Sequence, residues 1–192
     1  MGTIKKSIWA SMAIALWVYI LLKVWEPIWP FLFALWLLIV CIMNLNLYTW
    51  KCGYVIEQKN YKQLAIILIV NLISGYLIWR LISFCNDSVV IENAISKVSS
   101  RDFSLAFFIK SIFCGIIMFV AVDLYKKGTK LWIIFWIPLF IFCWFQHCIA
   151  NVITMWVAHA YSNTLWLAII WNIVWSLFIR YLAKETTTKK LS

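Results

Sequence analysis

The sequence predicts an all-α protein that crosses a lipid bilayer several times. Of its 192 residues, 65% are hydrophobic and 12% are charged, and the mean hydropathy is +0.91. A soluble domain carries about 25% charged residues. The apolar residues form repeated runs near the roughly 20 residues of a membrane-spanning helix. These runs lack the strict alternation of a membrane β-barrel, so a helical bundle is the predicted class.

Six apolar spans can be placed along the chain. Short polar or basic segments separate most of them, and one long polar connection joins the third span to the fourth. Trp25, Glu26 and Pro27 close the first span with an interfacial aromatic residue and a helix stop. A polar tail, 183–192, follows the last span. The predicted spans are 7–25, 29–40 with an interrupted continuation to 53, 64–82, 103–124, 131–160 and 163–182.

Spans two and five contain polar interruptions. Asn44, Asn46 and Thr49 follow the apolar part of span two. Either an unwound segment lining a cavity or a helix that ends at the interface explains them. Span five is long enough for two half-helices and holds His147 and Asn151, four residues apart. An ionisable residue at this depth is a functional-site hypothesis. The equally weighted alternative is a packing histidine, hydrogen-bonded to Asn151 or to a neighbouring helix.

The two interruptions occupy corresponding places in two three-span halves, about 7–83 and 103–182 of a single domain, 1–192. Because each half has an odd number of spans, the halves would insert with opposite orientations. The predicted fold is therefore an inverted 3+3 repeat in an aquaporin-like protomer, with spans two and five broken. With both termini in the cytoplasm, 12 of the 17 basic residues lie inside, as expected for a multi-pass protein of the cell (inner or plasma) membrane. Lys97, in an outer loop, is an exception.

Several function classes are disfavoured. The net charge of +10 does not indicate a nucleic-acid partner, because the basic residues lie in short loops and at the termini. The six cysteines form no C-x-x-C pair and lie mostly in apolar runs, so neither disulfides nor a metal site is expected. A membrane enzyme is poorly supported by two histidines and few acids within the spans. A channel, a substrate-binding membrane subunit of a multi-component uptake system and a structural membrane protein remain open.

Four segments resemble, in order, motifs of the formate/nitrite transporter (FNT) family. FQHCIAN, 145–151, is similar to the G-F-E-H-S-x-A-N signature, and NLYT, 46–49, is similar to the E-L-F-T loop. AISKVSS around Lys97 resembles the A-x-x-K segment before the fourth span, and VNLISG, 70–75, resembles the third-span G-N-L-I-G. Together the segments cover nearly the whole chain.

Three positions depart from the family pattern. Gln146 stands where the pattern has glutamate, Asn46 where it has an acidic residue, and Gly115 where the fourth span has asparagine. The chain is also shorter and poorer in glycine than usual members. These departures bear on substrate choice and gating more than on the fold.

The resemblance implies a homopentamer with one pore per protomer and proton-linked passage of small monovalent anions of weak acids, of the formate, nitrite, lactate, acetate or hydrosulfide type. It places His147 in a central chamber as a hydrogen-bond or proton donor, with Thr49 and Asn151 orienting the imidazole or the substrate, and Lys97 attracting anions at the outer mouth. No cofactor is implied. Without the resemblance, aromatic and leucine residues at such spacings indicate ordinary helix packing. With it, the two apolar constrictions comprise Phe33, Leu37, Leu47 and Tyr48 on one side and Met118 and Phe140 on the other.

Overall fold

The computed structural model describes residues 2–24, 27–85, 87–101, 104–129 and 131–188. Trp25, Glu26 and Phe103, at predicted span ends, and the tail after residue 188 lie outside the described residues. Within the described part, the regular structure is entirely helical. The helices are α1 (Thr3–Lys23), α2 (Trp29–Ile42), α3 (Tyr48–Lys51), α4 (Val55–Gln58), α5 (Tyr61–Ser83), α6 (Ser88–Ser99), α7 (Leu105–Lys126), α8 (Leu131–Phe142), α9 (Cys148–Val157) and α10 (Thr164–Thr188). A 3₁₀ turn, Cys52–Tyr54, joins α3 to α4.

Four of these helices are long and apolar enough to cross a membrane. They are α1, α5, α7 and the Thr164–Lys184 part of α10, and they correspond to the predicted spans one, three, four and six. Helices α2, α8 and α9 are apolar but shorter, at 14, 12 and 10 residues. Because a helix needs about 20 residues to cross the hydrocarbon core, the four long helices make the chain a multi-pass membrane protein.

Helices α7 and α10 approach each other closely at Gly115. A Cβ atom added to this glycine would lie 2.6 Å from the backbone oxygen of Asn172 on α10. Ser176, one turn further along α10, donates its hydroxyl to the Gly115 carbonyl oxygen at 2.9 Å. Small residues allow this kind of backbone approach between membrane helices. The position where the FNT pattern has asparagine therefore has no room for a side chain in this chain.

The polar connection between spans three and four contains a helix, α6, which the sequence analysis did not predict. Val90, Ala94 and Val98 recur every four residues and form its buried face. Asn93 donates a hydrogen bond of 2.7 Å to a backbone oxygen near the end of α1. The prediction missed the helix because polar residues separate its few apolar positions. As a result, Lys97 lies on a helix that is docked against α1.

Two loops share the same backbone geometry. After α2 and again after α8, two turn residues and three residues without regular structure precede the next helix, and the last of the three has an extended backbone. The second turn residue has a left-handed backbone in both loops, with φ of 47° at Asn44 and 52° at Trp144. The following amide donates to the carbonyl five residues earlier, from Leu45 to Val40 at 3.0 Å and from the Phe145 amide at 3.3 Å. Both helices thus end in the same left-handed capping arrangement. The segments that follow them, 43–47 and 143–147, are here called the first and second capped loops.

An ionic network ties α4, α7 and α10 together at the end of α7 away from α6. Asp123, buried on α7, accepts hydrogen bonds from the Tyr54 hydroxyl at 2.9 Å and from Arg180 at 3.3 Å. Lys127 lies 2.7 Å from its second carboxylate oxygen. Arg180 also pairs with Glu57 at 2.7 Å. A buried carboxylate needs such partners, because an isolated buried charge is strongly disfavoured.

Candidate functional site

His147 is the residue that joins the two capped loops. It precedes α9 and is 5% exposed, and its Nδ1 atom accepts a 3.2 Å hydrogen bond from the Ala150 amide. Its Nε2 atom lies 3.0 Å from the hydroxyl oxygen of Thr49, which is fully buried at the start of α3. Because Nδ1 accepts, the neutral imidazole carries its proton on Nε2 and directs it toward Thr49. The structure thus brings together two residues that the sequence analysis selected.

Asn151 has a different partner from the one considered in the sequence analysis. Its carboxamide donates a 2.9 Å hydrogen bond to the side-chain oxygen of Gln146 rather than to the imidazole. The backbone amide of Asn151 donates to the His147 carbonyl at 2.8 Å, as the first turn of α9 requires. Gln146, which replaces the glutamate of the FNT pattern, is therefore a neutral acceptor for Asn151.

Asn172, in the middle of α10, holds the second loop in place. Its side-chain oxygen accepts from the Cys148 amide at 3.1 Å, and its side-chain nitrogen donates to the carbonyls of Ser111 and Gln146 at 3.0 and 3.2 Å. The Cys148 amide is one of the donors that a helix start leaves without an intrahelical partner. Asn172 thereby positions the backbone on both sides of His147.

Asn71, in the middle of α5, makes the same set of bonds to the first loop. Its oxygen accepts from the Tyr48 amide at 2.9 Å, and its nitrogen donates to the carbonyls of Ser7 and Asn46 at 2.9 and 3.1 Å. The amide of Asn46 in turn donates to a backbone carbonyl on α1 at 3.2 Å, as the Gln146 amide donates to one on α7 at 3.3 Å. Each loop is therefore fixed by one asparagine and one neighbouring long helix.

His147 lines a cavity of about 120 Å³, here called the histidine cavity. Its walls come from α1, α8, α9 and the second capped loop, and its polar groups include the predicted site residues Lys97 and Asn151. This volume is well above the roughly 10–15 Å³ that a cavity needs to hold one water molecule. The lining residues are Val18, Leu21, Leu22, Lys97, Arg101, Phe140, Ile141, Trp144, Phe145, Gln146, His147, Ala150, Asn151 and Thr154.

A second cavity of about 380 Å³, here called the basic cavity, adjoins the first. The two share Lys97, Arg101, Trp144 and Gln146 in their walls, and the basic cavity adds Lys110. Three cationic side chains thus face it, and none of the described residues that line either cavity is acidic. The other residues that line the basic cavity are Ser100, Ser104, Ala106 and Phe107.

Lys97 sits over an aromatic ring at the junction of the cavities. Its Nζ atom lies 4.1 Å from the ring centre of Trp144, a cation–π distance. Burial, with a smaller contribution from the positive charge of Arg101, lowers the pKa of Lys97 to about 8. A left-handed backbone is unusual for a residue as bulky as tryptophan, and this backbone places the Trp144 ring under the lysine.

The six predicted constriction residues are all buried, but they are differently placed. Phe140 lines the histidine cavity, and its ring centre lies 6.1 Å from that of the His147 imidazole. Leu47 and Tyr48 belong to the first capped loop and the start of α3, next to Thr49. The others lie in the hydrophobic core on α2 and α7, at Phe33, Leu37 and Met118.

Two residues of this site escaped the sequence analysis. Asn172 is a lone asparagine inside an apolar span, at the same place in its half as Asn71, and that correspondence was the available signal. Arg101 follows Lys97 by four residues and lies just beyond the end of α6. Its role depends on α6, which was not predicted.

Two solved structures are similar to this chain over nearly its whole length. One, described as "Pentameric formate channel with formate bound", has a TM-score of 0.71 at 14% sequence identity, covering 99% of this chain and 97% of that chain. The other, an "FNT family ion channel", has a TM-score of 0.70 at 19% identity, covering 97% and 90%. Neither family models nor curated protein sequences match the chain.

The chain has the fold of these channels. At identities of 14% and 19% the likeness concerns the fold. It therefore agrees with the all-α, multi-pass membrane architecture that the hydropathy of the sequence predicts. The capped loops and the two cavities are features of this chain itself.

Proposed function

We propose that this chain is a divergent member of the FNT family and forms a membrane channel for small monovalent anions of weak acids. The observation that carries the proposal is the buried His147–Thr49 pair, which lies beside a small cavity whose other polar groups include Lys97 and Arg101. The histidine is the only ionisable side chain of this pair, and the cations sit where an approaching anion would meet them.

The proposal includes an inverted 3+3 repeat with spans two and five broken at the capped loops. Its support is the matching geometry of the loops and the matching bonds of Asn71 and Asn172. It also includes two cytoplasmic termini in a cell membrane, with the basic cavity facing outward. A homopentamer is proposed because one of the similar structures is described as pentameric and as containing formate.

The basic cavity would concentrate anions. Three cations without an acidic neighbour among the described lining residues attract a monovalent anion and replace part of its hydration shell. The histidine cavity, at about 120 Å³, has room for anions of the size of formate, nitrite or acetate. The positive charge of the lining favours a small carboxylate or a similar anion.

The apolar surroundings would then require the substrate to become neutral. A bare anion cannot cross a dry apolar ring, because its desolvation costs several kcal/mol or more, whereas the neutral acid can cross. As the anion leaves the basic cavity, the falling dielectric raises its pKa and favours protonation. His147 would donate a hydrogen bond from Nε2 to the substrate oxygen, with Thr49 as its alternative acceptor. Passage is therefore proposed to be proton-linked.

The constrictions would be formed by apolar residues on the two sides of His147. Phe140 is the best-supported member, since it lines the histidine cavity beside the imidazole. Leu47 and Tyr48 flank Thr49 in sequence, and we propose that they close the opposite side together with Phe33 and Leu37 on α2. Met118 on α7 is proposed as a partner of Phe140.

The test is formate flux into proteoliposomes as a function of pH. Wild-type flux should rise as the pH falls, because more of the formate is protonated. His147→Asn should reduce formate flux at least tenfold. The control, His159→Asn, should leave the flux within twofold of wild type, because His159 is exposed and has a left-handed backbone that asparagine tolerates. Lys97→Ala should reduce formate uptake, whereas the control Lys62→Ala, at an exposed lysine, should not. A correctly assembled wild-type protein that passes none of the small anions would refute the proposal.

A further inference from the structure

We propose that Arg101 is a specificity-determining residue that selects planar oxyanions, such as carboxylates and nitrite, over anions with a single acceptor atom. This inference rests on the proposed channel function and extends it to the substrate class. Arg101 follows the end of α6 and is among the residues shared by the walls of the basic cavity and the histidine cavity. An anion moving from one cavity to the other therefore passes its guanidinium group.

The guanidinium is held in place, and its Nε and Nη2 donors have no hydrogen-bond partner among the described residues. One of its terminal nitrogens, Nη1, donates to the backbone oxygen of Asn151 at 3.4 Å, which anchors the side chain to α9. No described acidic residue forms an ion pair with it within 4.0 Å. Of its five N–H groups, the pair on Nε and Nη2 forms a planar fork of the kind that binds both oxygens of a carboxylate.

The surroundings of Arg101 strengthen this interaction. The positive charges of Lys97 and Lys110 add to the attraction of any anion, but an ammonium group is a point charge and does not distinguish two oxygens from one acceptor. The neutral Gln146, where the FNT pattern has glutamate, leaves the guanidinium without a competing carboxylate from this position. Of the three cationic side chains, only that of Arg101 can distinguish an anion with two acceptor oxygens from one with a single acceptor atom.

The two cavities provide a built-in comparison. Arg101 lines both cavities, whereas Lys110 is found in the wall of the basic cavity. Removing the charge at Lys110 should weaken the attraction of all anions alike. Changing Arg101 to lysine keeps the charge and removes only the planar fork. The two variants therefore separate anion attraction from anion selection.

The experiment compares formate with hydrosulfide, a weak-acid anion of the same charge with one acceptor atom. Flux of each is measured in proteoliposomes containing wild type, Arg101→Lys, Arg101→Gln or Lys110→Gln, with gel filtration to confirm the wild-type oligomer. We expect Arg101→Lys to lower the formate-to-hydrosulfide flux ratio at least fivefold, because it loses the second hydrogen bond to formate. Lys110→Gln should lower both fluxes and keep the ratio within twofold of wild type.

Two results would overturn the inference while leaving the channel function intact. The first is an Arg101→Lys ratio within twofold of wild type when wild-type protein passes both anions. The second is loss of the folded oligomer in both Arg101 variants, since the arginine would then act in folding. A wild-type protein that passes neither anion would instead refute the channel function, and the selectivity claim with it.

Discussion

Replacement of Asn172 by alanine would test how the second capped loop is held. The substitution removes three hydrogen bonds made by N–H donors, one accepted from the Cys148 amide and two donated to the carbonyls of Ser111 and Gln146. It also removes a weaker one that Asn172 accepts from the Cys114 thiol at 3.6 Å. The backbone on both sides of His147, at Gln146 and Cys148, then has no hydrogen bond to the Asn172 side chain on α10. Both stability and transport should therefore fall.

The size of the effect follows from the number of bonds. Hydrogen bonds between membrane helices average about 0.6 kcal/mol each, so three bonds give a lower value of about 2 kcal/mol. Leaving a buried polar group without a partner costs about 1–3 kcal/mol, and Cys148 and Ser111 are both fully buried. We expect Asn172→Ala to lower the free energy of unfolding by about 2–4 kcal/mol.

The assay is equilibrium unfolding in mixed detergent micelles together with formate flux in proteoliposomes. Asn163→Ala is the matched control, because this asparagine is exposed just before α10 and its loss should change stability by about 0.5 kcal/mol or less. Asn71→Ala, with the same bonds to the first loop, should cost a similar stability. An Asn172→Ala protein within about 0.5 kcal/mol of the control and with normal flux would refute this account of the loop.

Three further predictions concern other parts of the molecule. Gly115→Ala should destabilise the protein by about 1–3 kcal/mol in the same unfolding assay, because the new Cβ atom would lie 2.6 Å from a backbone oxygen of α10. The control, Gly2→Ala, should have little effect, because open space surrounds Gly2. Asp123→Asn should lower the unfolding free energy by about 2 kcal/mol or more, because it leaves Arg180 and Lys127 without their shared carboxylate; an unchanged midpoint would contradict the inferred role of the network. Lys97, with a pKa lowered to about 8, is charged below pH 8 and neutral above it, so formate affinity measured calorimetrically should fall between pH 7 and pH 9 in wild type and stay level in Lys97→Arg. Equal losses of affinity in both proteins would rule out Lys97 as the titrating group.

Much of the helical architecture was predictable from local sequence. The four long helices follow from apolar runs with polar or basic flanks, and α1, α5, α7 and α10 correspond to predicted spans. The polar residues within two apolar runs also lie at or next to the capped loops, where backbone groups outside a helix need hydrogen-bond partners. The position of an ionisable residue inside an apolar span selected His147, and motifs resembling the FNT family added roles for Thr49 and Lys97 as predicted site residues.

Other features could not be predicted because they depend on packing between distant segments. Helix α6 was missed, since its buried face of Val90, Ala94 and Val98 becomes visible only when α1 is placed against it. Because α6 was not predicted, the position of Arg101 between the two cavities could not be predicted either. The close contact of α7 with α10 at Gly115, where the FNT pattern has asparagine, also depends on the packing of two distant helices.

The sequence by itself determined that this chain is a helical membrane protein and where its helices run, because the length and hydropathy of a segment are local properties. Only the tertiary structure decided which polar groups meet. Thr49 and His147 are 98 residues apart and come within 3.0 Å because Asn71 and Asn172, on two different long helices, hold their loops in place. Pairings of that kind depend on how helices pack against one another, and no local pattern encodes them.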